Sequence, residues 1–381
     1  MHNRVVRSLM LLCALTPGSF AAEYYTYVGT YTANGKSKGI YVHKFDTATG
    51  KLSPLGVAAE TDNPSFLTIH QNGKYLYAVN EIAKYQGKDT GTVTAFSIDR
   101  YTGRLTQINK VVTRGTIPCH LNVDRTGKFL VLVNYGSGST ASFPIQPNGG
   151  LGEAVSVQQH SGSSADLRRQ KGPHAHSINF SPDYRFAVVA DLGLDKVLVY
   201  RFDSTNGKLA PNDPPSISVR PGAGPRHFSF HPNGRFGYVI NEMQSTVTAM
   251  SYDAARGSFK QLQTLSTLPK GYDGSNNSTA EVLVHPNGRF LYGSNRGHNS
   301  LAVFAVDPAK GTITYVENSP VLGKTVRNFA IDPSGQFVLV EYQDSDTIAI
   351  FRIDPKTGRL TPTGDKVDNP MPVCIRFLAV K

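Results

Sequence analysis

Cysteine is scarce in this sequence: of three in 381 residues, Cys13 lies in an N-terminal segment expected to be removed, leaving Cys119 and Cys374. Both fall just before strands of different repeats, too far apart for disulfide geometry, so free buried thiols are expected. No apolar run approaches the roughly 20 residues of a membrane span, which excludes a spanning helix and predicts a soluble mature protein. No stretch shows a convincing helical period. No zinc-ligand spacing occurs: His174 and His176 are two apart on one strand face, without a third ligand at fixed spacing. Gly136-Ser-Gly-Ser139 has neither the following helix nor the lysine of a phosphate-binding loop.

Met1 to Ala22 has the three parts of a secretory signal peptide: basic Arg4 and Arg7, the apolar run Leu9 to Leu15, and small residues ending at Ala21-Ala22. The expected organisation is therefore a signal peptide over 1–22 and one domain over 23–381, in the periplasm or secreted. Cleavage removes two arginines and no acid, so the formal charge falls from +11 to +9. The cations are evenly scattered, with no basic run interleaved with aromatics, which disfavours nucleic acid as a partner.

What the sequence has in abundance is internal repetition. His231-Pro-Asn-Gly-Arg-Phe-Gly-Tyr-Val-Ile-Asn-Glu242 recurs from His285 to Arg296 and from His70 to Glu81, with weaker copies from Asp124, Ser181 and Asp332. The turn position is held by Gly73, Gly127, Tyr184, Gly234, Gly288 and Gly335, at spacings of 54, 57, 50, 54 and 47. A period of roughly 50 residues belongs to propellers or arrays. Each unit reads as four short strands, the first two joined by a tight Asn-Gly hairpin in which both residues tolerate positive φ. A seventh unit is split between the termini. Tyr25 to Tyr31 and Gly39 to Asp46 lack a first strand, and Pro372 to Val380 is an orphan first strand. Pairing them closes an all-β, seven-bladed propeller and leaves no open sheet edge.

In such a ring the first strands line a central channel, and residues equally far on either side of each turn glycine meet at one end. Ser65, Cys119, His176, Arg226 and Arg327 then face Glu81, Tyr135, Glu242, Arg296 and Gln343 at the mouth of a channel that is otherwise apolar. His120 and His227 lie one residue further in. Singly, each has a plain structural reading: Arg226 with Glu242 as a cross-strand ion pair, Arg296 as a solvated cation, His176 as a satisfied strand-end histidine. Together they make a concave polar cluster. Lys74, Lys128, Arg185, Arg235 and Arg289, beside the turns of the opposite face, read as solvated repeat features. The polar insertion Ser161 to Lys171 predicts an exposed loop beside the mouth, a partial lid.

At these residues the chain resembles the lactonase propeller family, whose members include a bacterial 6-phosphogluconolactonase and a fungal carboxy-muconate lactonising enzyme. The marks are Tyr27-Val-Gly-Thr-Tyr31, Pro118-Cys-His120, Arg169-Gln170 with Gly172-Pro-His-Ala-His176, Asp191-Leu-Gly-Leu-Asp195, Gly224-Pro-Arg-His227, Asn241-Glu242 and Asn295-Arg-Gly-His298. The resemblance implies a catalytic set of His176, with His174 close behind, Arg226, Glu242 and Arg296; His174, His227, His120, Glu81 and Arg327, by their place at the mouth, are expected to bind substrate. Lactone opening by water requires a base, Glu242 or His176, and cationic donors for the carbonyl oxygen, Arg226 and Arg296. A lactone is already activated, so neither metal nor cofactor is required. The expected partner is a small anionic or polyhydroxylated lactone, taken by a monomer. Tyr184 in place of the turn glycine implies a local backbone change. Glu341-Tyr342, where related units carry a small residue and asparagine, bears on substrate identity at the mouth. A muconate-type cycloisomerase and a non-catalytic binding propeller remain alternatives.

Overall fold

The repeated motif folds as an inter-blade staple. In the computed structural model, which describes residues 23–380, His231 Nε2 donates to the Gly288 carbonyl of the next blade's turn at 2.8 Å, and His285 does the same to Gly335. The motif tyrosines reach further along the same neighbour: Tyr238 Oη donates to the Gly311 carbonyl and Tyr292 Oη to that of Gly358. The closing asparagine points backwards instead, Asn295 Nδ2 donating to the Thr267 carbonyl of the preceding blade. One twelve-residue segment thus ties three consecutive sheets.

Seven four-stranded antiparallel sheets result. Blade 5, for example, runs Pro225–Phe230, Phe236–Asn241, Thr246–Asp253 and Ser258–Ser266. Second strands such as Phe129–Asn134 and Phe186–Asp191 are buried at every residue, because both of their faces lie under neighbouring blades. Outer strands such as Leu105–Val112 carry most of the exposed positions. The hydrophobic core accordingly sits between blade faces, and first strands of successive blades pack side by side around the axis.

The ring closes as the termini predict. Pro372–Ala379 pairs with Glu23–Thr30, from Tyr24 opposite Ala379 to Gly29 opposite Cys374, and this two-part sheet is completed by Gly39–Asp46 and Leu52–Glu60. Cys119 and Cys374 are both free and buried. The segment assigned as a signal peptide lies outside the described residues. Among those described, no helix is long and apolar enough to cross a membrane.

Three local expectations are corrected. The Asn-Gly turns are longer than a two-residue hairpin: His231 and Phe236 are the last hydrogen-bonded pair, and only Gly234, at φ +70°, takes the left-handed conformation. Tyr184 changes nothing in the backbone, because it adopts φ +59° like the glycines it replaces and stacks on Phe180 with ring centroids 5.2 Å apart. The turn arginines are exposed but not merely solvated. Arg235 donates to the Pro308 carbonyl and Arg289 to that of Pro355, each lying over its own blade's phenylalanine.

Candidate active site

Four of the inner strands that bring polar side chains to the mouth are interrupted there by a β-bulge. The register shifts between Pro118 and His120, Ala175 and Ser177, Pro225 and His227, and Val326 and Asn328. The skipped residues are Cys119, His176, Arg226 and Arg327. A bulged residue has no cross-strand partner and is re-aimed; these four turn into the channel and line one narrow neck. Bulge placement is itself held by buried carboxylates. Asp195 accepts the amides of Gly222 and Gly224 at 2.6 and 2.7 Å, which fixes the loop delivering Arg226.

The second ring comes from the residue following each second strand. Glu81, Tyr135, Glu242 and Arg296 occupy this position as predicted, and with Arg327 and His176 they surround a cavity of about 290 Å³. Gln343, in a short 3-10 turn, does not line it. Glu242 is the hub. Its Oε2 lies 3.1 Å from Arg226 Nε and 2.8 Å from Arg296 Nη2, and its Oε1 lies 2.8 Å from Arg169 Nη2. Burial opposes ionisation of this carboxyl, but Arg296, Arg226 and Arg169 outweigh burial and hold its pKa down at about 2. The same burial, reinforced by Arg296 and Arg327, brings the Arg226 guanidinium down to about 10. Across the cavity Arg327 Nη2 donates to Tyr31 Oη at 2.7 Å, and Tyr31 Oη donates to Glu81 Oε2 at 2.8 Å. His176 is buried at the floor between the two groups, and burial together with Arg226, His227 and Arg327 lowers its pKa well below the usual histidine value.

Three guanidiniums, Arg169, Arg296 and Arg327, therefore line an open cavity with two carboxylates, and Arg226 and a neutral imidazole stand at the neck beneath. The Cys119 thiol, 3.7 Å from His176 Nδ1, is pushed well up by burial and stays protonated.

Not all predicted residues converge here. His174 lines none of this cavity: its ring stacks on Tyr135 and its Nδ1 donates to the Tyr135 carbonyl at 3.0 Å, so it supports Tyr135. His120 sits below the neck against Phe66, in a second chamber of about 170 Å³ shared with His227. That chamber also corrects the expectation of an apolar channel, because Asn122, Asn179, Glu281 and Arg376 line it. Glu341 does not reach the mouth at all. It is fully buried, neither oxygen meets a hydrogen-bond partner, and burial raises its pKa well above the carboxylate range despite the nearby Arg376 and Cys374 amide. Sequence reasoning missed Arg169 and Tyr31 as site residues. Tyr31 follows Thr30 as Glu81 follows Asn80, a positional equivalence that could have found it; nothing in the sequence shows that Arg169 reaches 73 residues onward to Glu242.

The family described as "Lactonase, 7-bladed beta-propeller" matches residues 25–377. A 6-phosphogluconolactonase of Bacillus subtilis is 37% identical over 356 residues, spanning 93% of this chain and 99% of that protein. One from Formosa agariphila is 37% identical over 309 residues, 80% of this chain and 86% of that one. The solved structure of a periplasmic gluconolactonase of Pseudomonas aeruginosa superposes with a TM-score of 0.87 at 37% identity, covering 94% of this chain and all of that one. Fold and relatives together define a propeller enzyme of the lactone-hydrolysing class. The chain belongs to the lactonase family of seven-bladed β-propellers.

Proposed function

We propose that the protein hydrolyses a sugar-acid lactone in the mouth cavity, and that it does so as an exported enzyme acting on an unphosphorylated aldonolactone. The observation that carries this reading is the excess of guanidiniums over carboxylates at the mouth: Arg169, Arg296 and Arg327 line the cavity with Glu81 and Glu242, and Arg226 lines the neck beneath it. Such an excess stabilises the oxyanion formed when water adds to an ester carbonyl, and planar guanidinium forks suit that role. The gluconolactonase and 6-phosphogluconolactonase relatives support a sugar-acid lactone as substrate. The signal-peptide pattern of residues 1–22 and the periplasmic relative support export.

Within this reading the base is His176 and not Glu242. Both carboxylate oxygens of Glu242 are taken up by guanidiniums, whereas the His176 imidazole, uncharged at neutral pH, lines the cavity floor. Glu242 instead holds Arg226, Arg296 and Arg169 in position. Glu81, with Tyr31 and Arg327, binds the hydroxyls of the sugar acid. His176 takes a proton from the attacking water and returns it to the ring oxygen as the lactone opens.

The test is a panel of aldonolactones, with and without a 6-phosphate, hydrolysed by residues 23–381 with products weighed by mass spectrometry. Gain of one water at rates far above the spontaneous reaction, fastest for an unphosphorylated substrate, is the expected result. Conserved mass would favour the cycloisomerase alternative, and turnover at the spontaneous rate would leave a binding propeller. N-terminal sequencing of protein from the periplasmic fraction, expected to begin at residue 22 or 23, tests export.

A further inference from the structure

We infer that the neck joining the two cavities holds the nucleophilic water, and that His227, oriented by Glu281, is the positioning residue that aims it at the lactone carbonyl. This rests on the hydrolase reading above and adds to it where the water comes from and what holds it.

The neck leaves about 10 Å³ for the centre of a water-sized sphere. That is room for about one water, which also needs two to four polar partners. Arg226, Arg327, His176 and His227 all line the neck. A lactone seated in the mouth cavity covers the neck from above. Below it, the polar chamber of about 170 Å³ remains, and Phe66 and His227 line both spaces. The chamber can therefore supply water to the neck while substrate occupies the mouth.

The orientation of His227 is fixed from beneath. Its Nδ1 lies 2.9 Å from Glu281 Oε1, which also accepts the Val282 amide, while Glu281 Oε2 accepts from Asn328 Nδ2 at 2.6 Å. Burial opposes charge on Glu281, but His227 and Arg376 prevail and keep it a carboxylate, so the proton of the imidazole resides on Nδ1. Glu281 lines the chamber and not the neck, which leaves the Nε2 lone pair for the neck. Glu281 is delivered by the bulge of blade 6, where Thr279 opposes Asn295 but Val282 opposes Gly293.

His176 and His227 meet edge to face with centroids 5.4 Å apart. A water between them donates one hydrogen to each imidazole, which leaves an oxygen lone pair for the carbonyl above. The oxygen then bonds to the carbonyl carbon and the ring C–O bond breaks. The proton taken by His176 passes to the departing ring oxygen, and the water's second proton stays on the new carboxyl group until it ionises. His227 gains and loses nothing.

Solvolysis in mixed water and methanol tests this, because methanol does not fit a space for one water. The wild-type enzyme acting on an aldonolactone should give the acid with at least about tenfold less methyl ester than the uncatalysed reaction in the same solvent, and His227→Ala, which widens the neck, should raise the ester share. Glu281→Gln should lower kcat by at least about tenfold with KM little changed, because it disturbs the tautomer and not substrate contacts, and Glu281→Asp should recover part of the loss. A wild-type ester share equal to that of the uncatalysed reaction, or full kcat in Glu281→Gln, would overturn the inference. Nitrogen NMR of His227 in the wild-type protein reads the tautomer without turnover or any variant: a proton on Nδ1 is expected, and one on Nε2 refutes the dyad. Absence of any wild-type turnover would overturn the hydrolase reading, and this inference with it, and is seen before a variant is made.

Discussion

Arg226 Nε stands 3.1 Å from Glu242 Oε2, although no rung of their hairpin pairs the two residues. Pro225 opposes Asn241, His227 opposes Ile240, and Arg226 opposes nothing. Glu242 lies one residue beyond its strand, held by the amide bond it donates to the Gly224 carbonyl. The two meet because the bulge throws Arg226 into the channel, and the same device throws in Cys119, His176 and Arg327. Without the extra residue in each inner strand, these side chains would remain in the sheet and the mouth would hold only its outer ring.

Because Glu242 organises three cations, Glu242→Gln should cost both stability and turnover. Breaking one partner out of a buried charge cluster costs about 3–5 kcal/mol. The carboxyl titrates near 2 when folded and 4.5 when free, so its stabilising contribution is complete above pH 4.5 and is lost as pH falls through 2. Urea unfolding at several pH values should show wild type and variant converging towards pH 2. A constant difference across that range would contradict the role.

Arg169 comes from an exposed loop, is 45% exposed itself, and has Glu242 and Tyr135 as side-chain partners. Arg169→Ala should raise KM several-fold while shifting stability by no more than about 1 kcal/mol, as for other exposed pairs. An unchanged KM would remove this loop from the site.

Deletion of Pro372 to Lys381 takes the inner strand out of the blade that joins the chain ends. Two inter-blade faces then lose their partner at once, so cooperative unfolding should disappear in calorimetry. A truncated protein with the wild-type transition would refute closure as the source of stability.

Glu341 makes an opposite pH prediction. Its folded pKa lies well above the free value of 4.5, so the fold is favoured fully below pH 4.5 and loses that advantage as pH rises towards the folded pKa. Glu341→Gln removes the titration. Its melting temperature should match wild type at pH 4 and exceed it at pH 8; equal values at both would show that Glu341 ionises freely.

The blades, their number and the closure were legible because turn glycines recur at a near-constant spacing and strand alternation needs only local pattern. The rim ring was legible for the same reason, since Glu81, Tyr135, Glu242 and Arg296 share one offset from the turn. What escaped depends on events that leave no local trace. A bulge adds one residue without altering composition, so counting from Gly234 brought Arg226 and Glu242 together as a cross-strand pair when the register denies it. His120 and His227 do lie further in, His120 in the lower chamber and His227 lining both it and the neck, but His174 stays behind Tyr135. Arg169 was hidden because its partner lies in another blade, and Glu281 because it lies ahead of the recurring segment.

The central claim is that a cationic mouth with a neutral imidazole base opens a sugar-acid lactone. Its most direct test is the initial rate of gluconolactone hydrolysis followed by acid release, for residues 23–381 and for His176→Gln, each against the spontaneous reaction. The account predicts strong acceleration by the wild type and a loss of about 10²- to 10⁴-fold in the variant with its melting temperature kept, as expected for a missing general base. Wild-type rates in a folded His176→Gln protein, or no acceleration by the wild type, would contradict it.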